Sequence, residues 1–273
     1  MIIQHNIAAI NSYRNLGINQ SGLNKNLEKL SSGYRINRAG DDAAGLAISE
    51  TMRSQINGLN QATKNAQDAV GLIQTVEGAL TETHSMLQRL TTLATQSANG
   101  TYNSTARGNI KEEAQALIDE IDRIANNTDF NGIKPIAASK AGTMTFQIGP
   151  SVAETLTVEE GDMTASGIKV NDVVGKLTDI KEANKAIDTI KTSINTVSTY
   201  RAKLGAKQNR LEHTINNLKV SSENITAAES RIRDTDMADE ITAFTKNNIL
   251  LQASQSMLAQ SNSVPQSILS LLG

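Results

Sequence analysis

The chain has 273 residues, enough for one large domain or two modest ones with a substantial core. It contains no Trp, three Phe, four Tyr and three Pro, so apolar burial must come from Leu, Ile, Val, Ala and Met, the residues of helical seams. A net charge of −2 from 26 basic and 28 acidic residues gives no electrostatic reason to bind nucleic acid or an anionic membrane, and the lack of Cys excludes disulfides, thiolate nucleophiles and Cys-based metal sites.

Residues 1–6 lack the basic and apolar regions of a cleaved signal peptide, and no stretch approaches the roughly 20 apolar residues that span a bilayer. Membrane insertion is not expected, and export would need a different machine. Ile3, Ile7 and Ile10 open the chain as a short apolar stripe. Ala9, Leu16, Leu23 and Leu30 then fall seven apart, with Tyr13 and Leu27 as companions and Gln20 as the polar exception. Ser31-Ser32-Gly33 is predicted to end this helix, and Gly40-Asp41-Asp42 to start the next with carboxylates against its orphan N–H groups.

The second helix carries an unbroken heptad row: Met52, Leu59, Ala66, Ile73, Leu80, Leu87 and Ala94. Spacing of seven keeps such a row on one face over a long distance, the coiled-coil period rather than that of a free helix. Thr63, Glu77 and His84, four residues on from row members, are polar. So are Arg201, Gln208 and Glu229 later in the chain. The expectation is a bundle whose helices meet more than one neighbour.

A turn at residues 99–104 precedes a shorter helix marked by Ile110, Ala114, Leu117, Ile121 and Ile124, which ends at residues 126–129. From about 128 to 176 the helical period disappears. Alternation at Met144–Gly149 and again at Leu156–Val158 predicts two strands in a small β-rich insert. The helical period returns with Ala183, Ile190, Val197, Leu204, Leu211, Leu218, Ile225 and Ile232. Asp234-Thr235-Asp236 breaks it before Met237, Ile241, Phe244, Leu251 and Leu258, and Ile268, Leu269, Leu271 and Leu272 crowd the last residues. The fold expected is mainly α: a long antiparallel coiled-coil-like bundle made by the N- and C-terminal halves around the insert.

Catalytic signatures are missing. There is no Walker loop, dinucleotide fingerprint or HExxH helix, and His5, His84 and His213 are far apart in sequence. Residues 127–132 superficially resemble the start of a calcium loop. The first position is Asn and the twelfth, Ala138, cannot supply a carboxylate, so an Asn-rich turn is the better reading. No enzyme activity, metal or cofactor is expected. The two apolar tips, beyond breaks and short of chain to bury against, point to contact between subunits.

Residues 31–48, Ser-Ser-Gly-Tyr-Arg-Ile-Asn-Arg-Ala-Gly-Asp-Asp-Ala-Ala-Gly-Leu-Ala-Ile, resemble bacterial flagellin. The likeness continues at Gln74–Leu80, Thr128–Gly132, Arg201–Ala206, Asn209–His213, Ala228–Asp234 and Phe244–Leu250. The resemblance implies an extracellular filament subunit, exported without a cleaved signal and added at the growing tip. It implies polymer contacts through the terminal helices: Ile3, Ile7, Ile10, Leu16, Leu23, Leu27, Leu30, Phe244, Leu251, Leu258, Ile268, Leu271 and Leu272.

The same likeness divides the chain into an inner terminal-helix domain, 1–42 with 234–273, and an outer helical domain, 43–233. The bend between them would lie at Gly33, Arg35, Arg38, Asp41 and Asp42. With only about fifty residues between the helical halves, large outer domains are not expected. Implied partners are further copies of the chain, the export apparatus, an export chaperone on roughly residues 235–273, and the filament cap and junction proteins. A host Toll-like receptor is another, at Gln88, Arg89, Leu93, Gln96 and Glu113, although Thr91 and Thr92 stand where charged residues are usual. Competing readings are a hook–filament junction protein, a flagellin carrying a metallopeptidase insert, and an intracellular coiled-coil scaffold. HExxH is absent and residues 136–176 are few, which opposes the second.

Overall fold

The structure, a computed structural model, describes residues 5–137 and 142–272, with side chains in the last helix as far as Val264. In chain order it contains α1 (Ile7–Ser32), α2 (Ala43–Ser97), α3 (Ser104–Asn127), β1 (Thr143–Gln147), β2 (Thr155–Glu159), α4 (Val173–Lys176), α5 (Ile180–Arg233) and α6 (Met237–Leu272). Two compact units result. One comprises residues 57–222, and the other comprises 1–56 with 223–273. Their boundaries fall inside α2 and α5, not at the turns that flank α1 and α6.

In the 57–222 unit the heptad rows run along the core. Leu59, Ala66, Ile73, Leu80, Leu87 and Ala94 are buried on α2, as are Ala183, Ile190, Val197, Leu204, Leu211 and Leu218 on α5. The companion row lies three residues after each of these positions, not four. Ala62, Ala69, Val76, Thr83, Leu90 and Ser97 complete the seam on α2, and Ala186, Ser193 and Tyr200 extend it on α5. That offset matches the a-to-d step of a heptad. The polar residues four positions on therefore flank the seam, where Glu77 and Arg201 pair across the helices at 3.4 Å. This pair, with Ser222 donating to Asn60 Oδ1 at 3.2 Å, sets α2 and α5 antiparallel.

Polar atoms inside the seam are satisfied locally. Ser97 Oγ donates to the Leu177 carbonyl, and Ser193 Oγ reaches those of Ile168 and Thr189. Tyr200 donates to the Glu159 carbonyl at 2.9 Å, and burial pushes its hydroxyl up to about 12, so it stays a donor.

Helix α3 starts at Asn103, whose side chain accepts from Ala106 N at 2.8 Å. Its fully buried face is Ile110, Ala114, Ile118, Ile121 and Ala125. Leu117 and Ile124, expected on that face, are half-buried beside it. Residues 127–133 form a turn: Asp129 Oδ1 accepts from Gly132 N at 2.6 Å, and Asn131 and Gly132 have positive φ. The insert holds the two strands that the sequence predicts, β1 and β2. One antiparallel hairpin pairs Thr143 with Glu159 and Phe146 with Leu156. The stretch after it, irregular apart from α4, supplies Met163, Ala165, Ile168, Val170, Val173, Val174 and Leu177 to the core. No described helix is long and apolar enough to cross a membrane.

Candidate self-assembly surface

The terminal unit is built differently. Helices α1 and α6 pack antiparallel. Asn6 Nδ2 donates to the Ser261 carbonyl at 2.8 Å, Asn19 Nδ2 donates to Ser254 Oγ at 2.8 Å, and Lys29 approaches Glu240 at 3.7 Å. Yet among the described residues only one buried apolar side chain, Ile36, belongs to this unit; every other lies in the 57–222 unit. Conversely, of the sixteen large apolar side chains left exposed among the described residues, twelve belong to the terminal unit. A folded segment that keeps so much apolar surface wet has its partner elsewhere.

The expected polymer contacts separate into two groups. Leu16, Leu23, Leu30, Phe244, Leu251 and Leu258 are half-buried, partly used by the seam between α1 and α6. Ile7, Ile10 and Leu27 are exposed, at 61 %, 58 % and 46 %. Ile3 and the side chains of Ile268, Leu271 and Leu272 lie outside the described residues. The exposed set also includes Ile18, Ile249 and Met257, which the sequence analysis did not single out. Their signal was present. Apolar residues off the seven-residue row, on a helix that already has a seam, mark a second apolar face.

The turn between α1 and α2 is held at every residue expected to form a bend. Gly33 sits at φ +75°, the left-handed C-cap that glycine adopts without strain, and donates to the Lys29 carbonyl at 2.8 Å. Arg35 N donates to the Arg233 carbonyl and Thr235 N to that of Gly33, tying this turn to the α5–α6 turn. Arg35 Nη2 adds a bond to the Ile232 carbonyl at 2.5 Å. Arg38 holds Glu28 with two nitrogens, at 2.8 and 3.2 Å.

The two aspartates divide the work expected of both. Asp42 Oδ1 caps α2 by accepting from Gly45 N at 2.9 Å. Asp41 instead accepts from the backbone N–H groups of Arg38 and Asn37, which hold its carboxyl below the usual carboxylate range. Arg233 went unnoticed in the sequence. Its guanidinium lies 4.7 Å from the Tyr34 ring centroid and pairs with Glu50 at 3.2 Å, so it joins the end of α5 to the turn and to α2.

Of the residues matched to receptor recognition, Arg89 and Glu113 form an exposed ion pair between α2 and α3, at 2.6 Å from Arg89 Nη2 to Glu113 Oε1. Gln88 bonds His84, and Gln96 bonds the Tyr102 hydroxyl. Leu93 does not belong on that surface. It is 1 % exposed because it falls beside the heptad row, within the core.

Comparison with known proteins gives this arrangement a family. The bacterial flagellin N-terminal helical region matches residues 3–141, and the C-terminal helical region matches 187–272. Flagellin of Bacillus subtilis is 52 % identical, with both chains covered completely. The flagellar filament 33 kDa core protein of Treponema phagedenis is 47 % identical, again over the whole of both. Among solved structures, Bacillus cereus flagellin matches with a TM-score of 0.50 and 31 % identity, covering 61 % of this chain and 94 % of that one. A protein named as a flagellar hook-associated protein of Vibrio parahaemolyticus matches at TM-score 0.61, over 71 % of this chain and all of that one. At 12 % identity it shares the fold alone. With both helical halves matched and full-length flagellins at half identity, the chain belongs to the bacterial flagellin family.

Proposed function

We propose that this flagellin is a structural subunit of the bacterial flagellar filament, polymerising through the apolar faces of its terminal helices for motility. The observation that carries the reading is the division of apolar side chains: a buried core within 57–222, and an exposed apolar surface on 1–56 with 223–273. Different patches on one subunit meeting on the next make a heterologous contact, and one whose rotation does not close generates an open helical polymer. Full-length identity to filament proteins favours this role over a hook–filament junction protein.

Several finer features belong to the same reading. The terminal helices form the inner layer of the filament, divided from the outer layer near residues 42 and 234, with the bonded turns at Gly33–Asp42 and Asp234–Asp236 as the bend. The chain leaves the cell unfolded through the flagellar export apparatus and joins the filament at its tip beneath the cap. A chaperone covering roughly 235–273 suits a helix whose apolar residues would otherwise be wet before export. Electron microscopy after seeding purified protein with short filament fragments tests the central claim. Long uniform filaments are expected; soluble chains that only cap the seeds would overturn it.

Recognition by a host Toll-like receptor would use Gln88, Arg89, Gln96 and Glu113, without Leu93. The exposed Arg89–Glu113 pair supports this, since a solvated guanidinium can exchange partners at small cost. In a receptor-binding assay, Arg89→Ala is expected to weaken binding at least about tenfold, the loss of about 1.4 kcal/mol. Equal binding by parent and variant would remove Arg89 from the interface.

A further inference from the structure

The sequence contains three Asn-Gly pairs, at residues 57–58, 99–100 and 131–132, and all three Asn residues are exposed. Asn is a labile residue, and a following Gly, with no Cβ, lets its own backbone nitrogen reach the Asn side-chain carbon. Accessibility does not separate the three pairs; their backbones do.

Asn57 and Gly58 lie inside α2, where the helical ladder commits the backbone N–H groups. Gly58 is packed as well, with Pro150 Cβ 2.9 Å from where a Cβ on Gly58 would stand. Asn131 and Gly132 are the two central residues of a turn closed by reciprocal backbone bonds between Phe130 and Ile133, at 2.9 and 3.1 Å. Both have positive φ, and Gly132 N donates to Asp129 Oδ1 at 2.6 Å. That carboxylate keeps the proton on the nitrogen that would have to lose it.

Asn99 and Gly100 have none of these restraints. They lie in the connection between α2 and α3, where the bonds are long. Asn99 Oδ1 accepts from Thr101 N at 3.3 Å, and the Asn99 carbonyl accepts from Tyr102 N at 3.4 Å. Gly100 N and Asn99 Nδ2 donate to no partner among the described residues. Nucleophile and leaving group are therefore both unengaged, while the bond to Oδ1 polarises the carbonyl between them.

We propose that Asn99-Gly100 is a self-modifying site, at which the folded chain slowly converts its own amide into a carboxylate. Gly100 N loses its proton and bonds to Asn99 Cγ; the bond from Cγ to Nδ2 breaks, and ammonia leaves with a proton in exchange. Water then opens the cyclic imide at either carbonyl, leaving aspartate or isoaspartate at position 99. Each event makes the net charge of −2 more negative by one. The isoaspartate route also adds a methylene to the main chain. It moves the Asn99 carbonyl away from Arg107 Nη2, which donates to it at 3.2 Å, and alters the turn irreversibly. The chemistry needs only the folded chain. Its consequence rests on the subunit reading above: a subunit stays where it was added, so converted copies accumulate with filament age.

The test incubates the soluble full-length chain at mildly alkaline pH in heavy-oxygen water. Peptide mapping by mass spectrometry then counts each converted Asn by the oxygen gained. Asn99 should convert several-fold faster than Asn57 and Asn131, with isoaspartate among the products. Gly100→Ala should slow the reaction at Asn99 several-fold. Gly100 is not in the left-handed region and nothing lies within 4 Å of an added Cβ, so this variant keeps the fold. Equal conversion at all three pairs, or a Gly100→Ala chain that reacts as fast as the parent, would overturn the proposal. Filaments sheared from long-grown and freshly regrown cells are mapped in the same way, and the older ones should carry more converted Asn99. Equal conversion in both would remove the accumulation. A chain that forms no filaments would sink the subunit reading alone, because the site is read on the soluble chain.

Discussion

Removing residues 264–273 is expected to abolish filament growth while leaving the melting of the 57–222 unit unchanged. The segment contributes Val264, Ile268, Leu269, Leu271 and Leu272 to the apolar end of α6. Completing the burial of a large aliphatic side chain is worth about 1.5–3 kcal/mol when it begins fully exposed. Even at about 1 kcal/mol each, five such residues raise the concentration needed for growth by about four-thousandfold. The segment belongs to the terminal unit, and the described buried apolar residues of the 57–222 unit run from Leu59 to Leu218. The measurement is paired: seeded growth by electron microscopy, and thermal unfolding by circular dichroism. Filaments of normal length from the truncated chain would show that the α6 tip is no polymer contact.

The parts of the fold legible in the sequence are those where one interaction dominates. Heptad rows on α2 and α5 announced the core because their members from Leu59 to Ala94 and from Ala183 to Leu218 are buried on the same side, whatever their partner. Gly33 and Asp42 announced helix ends because a left-handed C-cap and a side-chain N-cap are local chemistry, fixed within four residues. Residues 163–177 were illegible for the opposite reason. Met163, Ile168 and Val170 are placed by contacts with distant helices and by bonds such as that from Ala165 N to Asp122, which leave no period in the chain.

The assembly surface was half legible. The rows at Leu16, Leu23 and Leu251 were visible as apolar stripes, but a stripe does not say whether its own chain or another copy covers it. Only the pairing of α1 with α6 separates half-buried Leu16 and Leu251 from exposed Ile18 and Ile249. Leu93 shows the converse. Its resemblance to a surface position was overruled by the neighbouring core row, and Arg233, which clamps the turn, has a role set by Tyr34 and Glu50 far away in sequence.

That difference between two heptad rows leads to a contrasting pair of substitutions. Leu87→Ala is expected to destabilise the 57–222 unit by about 2–5 kcal/mol, because Leu87 is fully buried and truncation leaves a cavity within a helical seam. For a unit of this size each kcal/mol lowers Tm by about 2–4 °C, so the melting point should fall by about 5–15 °C. Leu251→Ala removes the same atoms from a row of the same spacing, but from a half-buried position in the terminal unit. It should leave the melting of the 57–222 unit where it was and slow seeded growth instead. Calorimetry of both variants separates the two effects. A Leu251→Ala chain that melts as early as Leu87→Ala would mean that the terminal helices already stabilise the monomer's core. The exposed apolar residues on α1 and α6 would then need an explanation other than assembly.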